Sequence, residues 1–114
     1  MRTFIKVRMI VYVTTEPELH YTPDQTPVVT FGTASNRKWK TEGGVEHEET
    51  CFIDCTVWSN RAIAVDKYVS KGDPVYIEGN LVFEQWEKEG QKRSKHRVTV
   101  TEIIFLKAKE HNDG

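Results

Sequence analysis

The chain has little of what most enzymes and membrane proteins need. Its longest uninterrupted apolar run is Met9 to Val13, too short for a membrane span or the core of a signal peptide, so the chain is expected to stay in the compartment where it is made. Glycine is sparse, and Gly43-Gly44 lacks the following Lys-Ser/Thr that a phosphate-cradling loop requires. His20, His47, His96 and His111 are scattered, and no Ser/His/Asp order or metal-ligand spacing is present. The one dense group, Glu46-His47-Glu48-Glu49, reads as an acidic loop. Neither catalysis, a metal nor a cofactor is expected.

There are only 2 cysteines, Cys51 and Cys55. Four residues apart on one strand they would stand about 13 Å apart, whereas a disulfide needs Cα atoms within about 7 Å. They are expected to be two buried thiols in a reducing compartment. Charge is nearly balanced at a formal −1, which by itself does not favour nucleic acid as a partner. The distribution is less neutral. Arg37, Lys38 and Lys40 form one basic cluster, Lys92, Arg93, Lys95 and Arg97 another, and Glu42, Glu46, Glu48 and Glu49 read as lying elsewhere. Either basic cluster is also compatible with an ordinary solvated face.

With 114 residues, 38% hydrophobic and 29% charged, the chain has the composition of one globular domain. The informative stretch is Glu48 to Trp86. From Thr50 to Trp58, Ile53, Cys55 and Val57 share one face and Phe52, Asp54, Thr56 and Trp58 the other. Ser59 or Asn60 can cap a helix from about Arg61 to Lys71, with Ala62, Val65, Tyr68 and Val69 as its buried stripe and Gly72 as its stop. Asp73-Pro74 turns into a long strand from Val75 to about Glu87, whose interior Gly79 marks a bulge or a barrel bend.

Upstream, Phe4 to Val13 reads as a strand with Ile5, Val7, Met9, Val11 and Val13 on one face and apolar Phe4, Ile10 and Tyr12 on the other. Glu16-Pro17-Glu18 and Tyr21-Thr22-Pro23-Asp24 read as turn-rich, as expected for a connection between strands. Val28 to Asn36 is the second strand, followed by a loop of roughly ten residues with Gly43-Gly44 at its tip. Downstream, Glu89-Gly90-Gln91 is a hairpin tip and Lys92 to Leu106 the last strand, closing on apolar Ile103 to Leu106. The pattern predicts an all-β, five-stranded Greek-key barrel with one short helix between strands 3 and 4. It would occupy 1–107, with a short polar end at 108–114.

Trp39, Phe52, Trp58 and Trp86 sit in polar or cationic surroundings. Spacing alone leaves two readings open: rings that stack bases, or rings that cover a core end or a subunit interface. The ordered succession PELHYTPDQTPVVTFGTASNRKWK followed by EETCFIDCTVWSNRAIAVDKYVSKGDPVYIEGNL resembles the bacterial-type single-stranded DNA-binding protein family over roughly Lys6 to Leu106. The resemblance implies an oligonucleotide-binding (OB) fold, a homotetramer built as a pair of dimers, no enzymatic activity, a cytoplasmic or organellar setting, and sequence-independent binding of single-stranded DNA in replication, recombination and repair. Carried onto this chain, it implies that Trp39, Phe52, Trp58 and Trp86 stack bases while Lys6, Arg37, Lys38, Lys40, Arg61, Lys71 and Arg93 meet phosphates.

Some positions depart from that family. Val11 and Thr14 stand where glycines commonly bend the first strand. Asn60 replaces a common lysine, and Val82, Phe83, Glu84 and Gln85 fill a segment that is often basic. The first pair bears on how the first strand bends, while Asn60 and Val82 to Gln85 imply weaker or more salt-sensitive binding, or an OB module serving protein interaction instead. No acidic tip follows Leu106, so the chain is expected not to recruit the enzymes that tailed relatives hold. From sequence neighbours, Trp39 between Lys38 and Lys40, and Trp58 before Arg61, are expected to matter more than Trp86 between Gln85 and Glu87.

Overall fold

The computed structural model of the chain describes residues 1–107; the expected polar end at 108–114 lies outside them. Strands β1 (Lys6–Val13), β2 (Glu18–Tyr21), β3 (Pro27–Lys40) and β4 (Glu46–Trp58) precede helix α1 (Asn60–Tyr68), and β5 (Pro74–Lys88) and β6 (Gln91–Phe105) follow it. They pair in the order β1-β5-β6-β4-β3-β2, and β1 also pairs with β3. That second pairing, Tyr12 with Ala34 and Val13 with Thr33, closes the sheet into a barrel. The all-β barrel with one helix agrees with the sequence expectation.

The strand count differs. Glu18–Tyr21, expected as part of a connection, pairs in register with Pro27–Thr30. Its hairpin turn is held by Gln25 N–H donating to the Thr22 carbonyl at 2.8 Å and Thr22 N–H to the Thr26 carbonyl at 3.0 Å. Four residues with apolar Leu19 as the only inward anchor give too short an alternation to announce a strand.

The expected ten-residue loop is also corrected. β3 and β4 stay paired without a register shift from Val28↔Trp58 to Lys40↔Glu46, so only Thr41 to Val45 remains as a tip. There Gly44 takes the left-handed φ of 78°. β5 and β6 likewise run as a paired ribbon out to Lys88↔Gln91. These two arms project from the barrel and raise the radius of gyration to 17.0 Å, against about 13 Å for a compact domain of similar length.

Inward side chains at every second position fill the barrel: Val11 and Val13, Val29 and Phe31, Cys55 and Val57, Val75 and Ile77, Val98 and Val100. Each fully buried Val or Ile contributes about 1.5–3 kcal/mol. Helix α1 adds Ala62 and Val65 to that core, and Val69 just after it. The helix is shorter than expected. It ends at Tyr68 because Val69 is already extended (φ −102°, ψ 132°). Gly72, with φ 95°, belongs to the next turn, where its N–H donates to the Val13 carbonyl at 2.7 Å. Ser59 stands at the N-cap with φ 64° and no side-chain cap hydrogen bond. Tyr68 is exposed, not part of the buried stripe, and its ring meets Phe105 at 6.2 Å. The apolar close of β6 is exposed too at Ile104, Phe105 and Leu106.

The cysteines differ from each other. Both are free, Cys55 buried and Cys51 exposed, which corrects the expectation of two buried thiols; beyond Ile53 the ribbon has left the core. Burial pushes the Cys55 thiol up to about 12. No helix among the described residues is long and apolar enough to cross a membrane.

The register of β5 against β6 shifts between Glu78 and Gly79, so the expected bulge at Gly79 is present. β1 keeps its register against β5 from Lys6↔Asn80 to Tyr12↔Pro74, so Val11 needs no glycine-type bend. A Cβ on Gly79 would press on the Thr99 carbonyl oxygen and stand 2.6 Å from Val98 Cγ1. Since the first obstacle is backbone, it cannot swing aside. Gly79→Ala is expected to lower unfolding free energy by about 1–3 kcal/mol, read as a lower denaturant midpoint; an unchanged midpoint would show that the bulge tolerates a side chain.

Candidate nucleic-acid interface

Alternation along β4 turns Phe52, Asp54, Thr56 and Trp58 outward as it turns Cys55 and Val57 inward. β6 lies beside it in parallel, with Arg97 next to Asp54 and Thr99 next to Thr56. On the other side of β6, β5 presents Val82 opposite Arg97, Glu84 opposite Lys95 and Trp86 opposite Arg93. Directly opposed residues point the same way. The outer surface around β6 therefore carries Phe52 and Trp58 on one flank, Trp86 on the other, and Arg93, Lys95 and Arg97 between them. Phe52 is 71%, Trp58 44% and Trp86 42% exposed.

Carboxylates hold two of those cations. Lys95 Nζ pairs with Asp54 Oδ2, and Arg97 Nε donates to Glu84 Oε2 at 3.1 Å. Arg93 has no carboxylate within ion-pair distance among the described residues and faces Trp86. Lys95 and Arg97 were not among the predicted site residues. The signal was in the sequence: 93, 95 and 97 are cationic at the strand period, so they share a face.

The same geometry overturns the reasoning that placed Trp86 below Trp39. Gln85 and Glu87 adjoin Trp86 in sequence but point to the opposite face of the arm; its true neighbour is Arg93. Conversely, Lys38 and Lys40 point away from Trp39.

Trp39 lies on the other face of its arm, the side continuous with the core. It is reached by counting outward in register from Phe31↔Cys55 through Thr33, Ser35 and Arg37. There His47, directly across the ribbon, stacks on it with centroids 5.3 Å apart and planes at 17°, and the Arg37 guanidinium lies 4.6 Å from the indole centroid. The four predicted aromatics thus divide into an outward group of three and Trp39 on the reverse side.

The acidic segment does not lie elsewhere, as its sequence position implied. It is the first part of β4 and pairs with the basic cluster: Arg37 faces Glu49, Lys38 faces Glu48, and Lys40 faces Glu46. Lys40 Nζ stands 3.7 Å from Glu46 Oε1. Asn36 Nδ2 donates to Glu48 Oε1 at 3.0 Å, and Thr50 Oγ1 donates to Asn36 Oδ1 at 2.6 Å. Alternate members of Glu46-His47-Glu48-Glu49 point to opposite faces, so they do not converge on an ion; no metal-type cluster of three His, Cys, Asp or Glu occurs among the described residues.

The remaining predicted cations are dispersed. Lys6 begins β1 opposite Asn80, which in turn faces Thr99, and so belongs to the outer surface. Arg61 is exposed in the first turn of α1, close in sequence to Trp58. Lys71 sits in the turn beyond the helix, where its backbone N–H donates to Glu16 Oε2 at 3.2 Å. The structure does not bring Lys71 to the arms.

Comparison with known proteins agrees with this geometry. The model of the Single-strand binding protein family matches residues 4–106. The single-stranded DNA-binding protein of Wolinella succinogenes is 36% identical over 110 residues, covering 96% of this chain and 68% of that protein. That of Helicobacter pylori is 37% identical over 110 residues, covering 96% of this chain and 62% of that one. The chain therefore spans about two thirds of the length of these relatives. Among solved structures, a Plasmodium falciparum SSB complex with ssDNA superposes with a TM-score of 0.85 at 25% identity, covering 94% of this chain and 98% of that one. A closed barrel with outward rings around a cationic strand, matched along nearly its whole length, places this chain in the Single-strand binding protein family.

Proposed function

We propose that the chain binds single-stranded DNA without reading its sequence, stacking bases on Phe52, Trp58 and Trp86 and holding phosphates with the cations of β6. One observation carries the reading: three large rings are exposed on both flanks of a strand that presents Arg93, Lys95 and Arg97 on the same surface. A ring stacks on any base, contributing roughly 1–3 kcal/mol, so such a surface has affinity without specificity. Trp39 adds a ring on the reverse of the β3–β4 arm, and Lys6 and Arg61 extend the cationic track. The relatives carry the same activity in their names.

The carboxylate pairing shapes how the protein binds. A phosphate approaching Lys95 or Arg97 must compete with Asp54 or Glu84, and one approaching Lys40 must compete with Glu46. Each exchanged ion pair recovers less than a free cation would. The same observation favours a second reading, an OB module that serves mainly protein contacts. Titration of tryptophan fluorescence with oligo-dT at two salt concentrations separates them. The first reading expects strong quenching at low salt and affinity that falls as salt rises, with a slope of about −0.7 per phosphate neutralised. The second expects no saturable quenching.

The outer face of β1 accounts for assembly. Ile10, Tyr76 and Ile104 lie in one row across β1, β5 and β6, and Tyr12 and Pro74 lie in the next. Ile10 is 68% and Tyr12 60% exposed. An apolar row of this kind on a sheet is stabilised by a second copy, and we infer a homotetramer built as a pair of dimers through it.

Two outcomes are expected beyond the titration. At moderate salt, Trp86→Ala should weaken oligo-dT binding at least as much as Trp39→Ala, by roughly 1–3 kcal/mol, because Arg93 faces Trp86 whereas His47 already covers part of Trp39. A larger loss at Trp39 would refute that order. Sedimentation equilibrium should give a tetramer for the unmutated chain and a smaller species for Ile10→Glu with Tyr12→Glu; a 13.2 kDa monomer for the unmutated chain at micromolar concentration would contradict it.

A further inference from the structure

The segment Val82 to Gln85 contains a ring that the interface above does not use. Phe83 lies on the β5–β6 arm two residues beyond Leu81, on the face continuous with the core rather than the face of Trp86. It is nevertheless 53% exposed: Leu81 is the last residue of this face packed on the core. Directly across the ribbon stands His96, its ring centroid 4.9 Å from that of Phe83 and tilted by 47°.

This arrangement repeats that of the other arm. There Trp39, also on the core-continuous face beyond the barrel, is backed across the ribbon by His47. Each arm thus carries one exposed ring on each face: Phe52 and Trp39 on β3–β4, Trp86 and Phe83 on β5–β6. Beside Phe83 the same face presents Gln85 and Ser94, and carboxylate charge returns only at Glu87, opposite Lys92. A base can therefore reach the Phe83 ring without its phosphate meeting an unpaired acid.

We propose that Phe83, supported by His96, is a fifth base-stacking contact, and that the single strand passes from the Trp86 face around the edge of the β5–β6 arm to reach it. The inference rests on the single-strand binding reading above. Val82 to Gln85 hold no cation, so this contact draws on base stacking rather than on phosphate. The consequence is a contact whose contribution hardly changes with salt.

The test compares the full chain with Phe83→Leu, which keeps apolar bulk but removes the ring, and with Phe83→Trp, which keeps it. Oligo-dT is titrated at two salt concentrations, and sedimentation and circular dichroism are recorded for each variant. Phe83→Leu should bind at least about 5-fold more weakly at both salts, the lower end of one stacked base, with unchanged salt slope and sedimentation mass. Phe83→Trp should keep the affinity and show more quenching at saturation than the 3 native tryptophans give. Parental affinity in Phe83→Leu, or no added quenching in Phe83→Trp, would overturn the contact alone. A loss of affinity accompanied by a smaller sedimenting species would overturn it in favour of a subunit contact. Absence of binding by the unmutated chain would instead overturn the single-strand reading itself.

Discussion

The two-residue alternation of β3 and β4 runs without interruption from the barrel core into their arm, and the rest of the site depends on it. Because β3 and β4 keep one register from Val28↔Trp58 to Lys40↔Glu46, burying Cys55 and Val57 obliges Phe52 and Trp58 to face out. The same count, carried outward, puts Trp39 on the reverse side. A one-residue slip would bury the outward rings and expose the core. The one register shift among the described residues, at Gly79, falls where β5 passes from the barrel into its arm. Core packing and ligand surface are therefore two faces of one register, and neither can be changed alone.

Electrostatics then limits what the surface can do. The near-zero net charge is not a bland average of distant patches. The cations of β3 lie opposite the carboxylates of β4, and two of the three outward cations of β6 hold acids. These exposed pairs contribute little to stability, but they tether the cations that a phosphate would recruit. Arg93, facing Trp86, escapes this pairing. Under the proposed function, base stacking would accordingly supply a larger share of affinity than the count of basic residues implies.

Much of this was legible in the sequence. The alternation around Ile53, Cys55 and Val57, the bulge at Gly79 and the short helix all followed from period and residue type. The electrostatic differences share one cause: sequence neighbours on a strand are not spatial neighbours. Lys38 and Lys40 flank Trp39 along the chain yet point away from it, Glu87 does the same at Trp86, and Glu46 to Glu49 sit across the ribbon from Arg37 to Lys40. Only pairing register supplies that information, and register depends on where a hairpin turns. The loop after β3 is shorter than its sequence suggests because polar, charged strands beyond the core lack the hydrophobic alternation that marks a strand. The helix end is a separate case: Val69 is buried on the core yet already extended, which the helical period does not reveal.

The most direct test of the account is to map where a single strand touches the chain. Photo-crosslinking with an oligo-dT carrying a halogenated uracil, followed by mass-spectrometric identification of the modified residues, reports ring-to-base contact residue by residue. The account predicts crosslinks at Phe52, Trp58 and Trp86, on both flanks of β6. Crosslinks confined to α1 or to the outer face of β1, with none at those three rings, would contradict it.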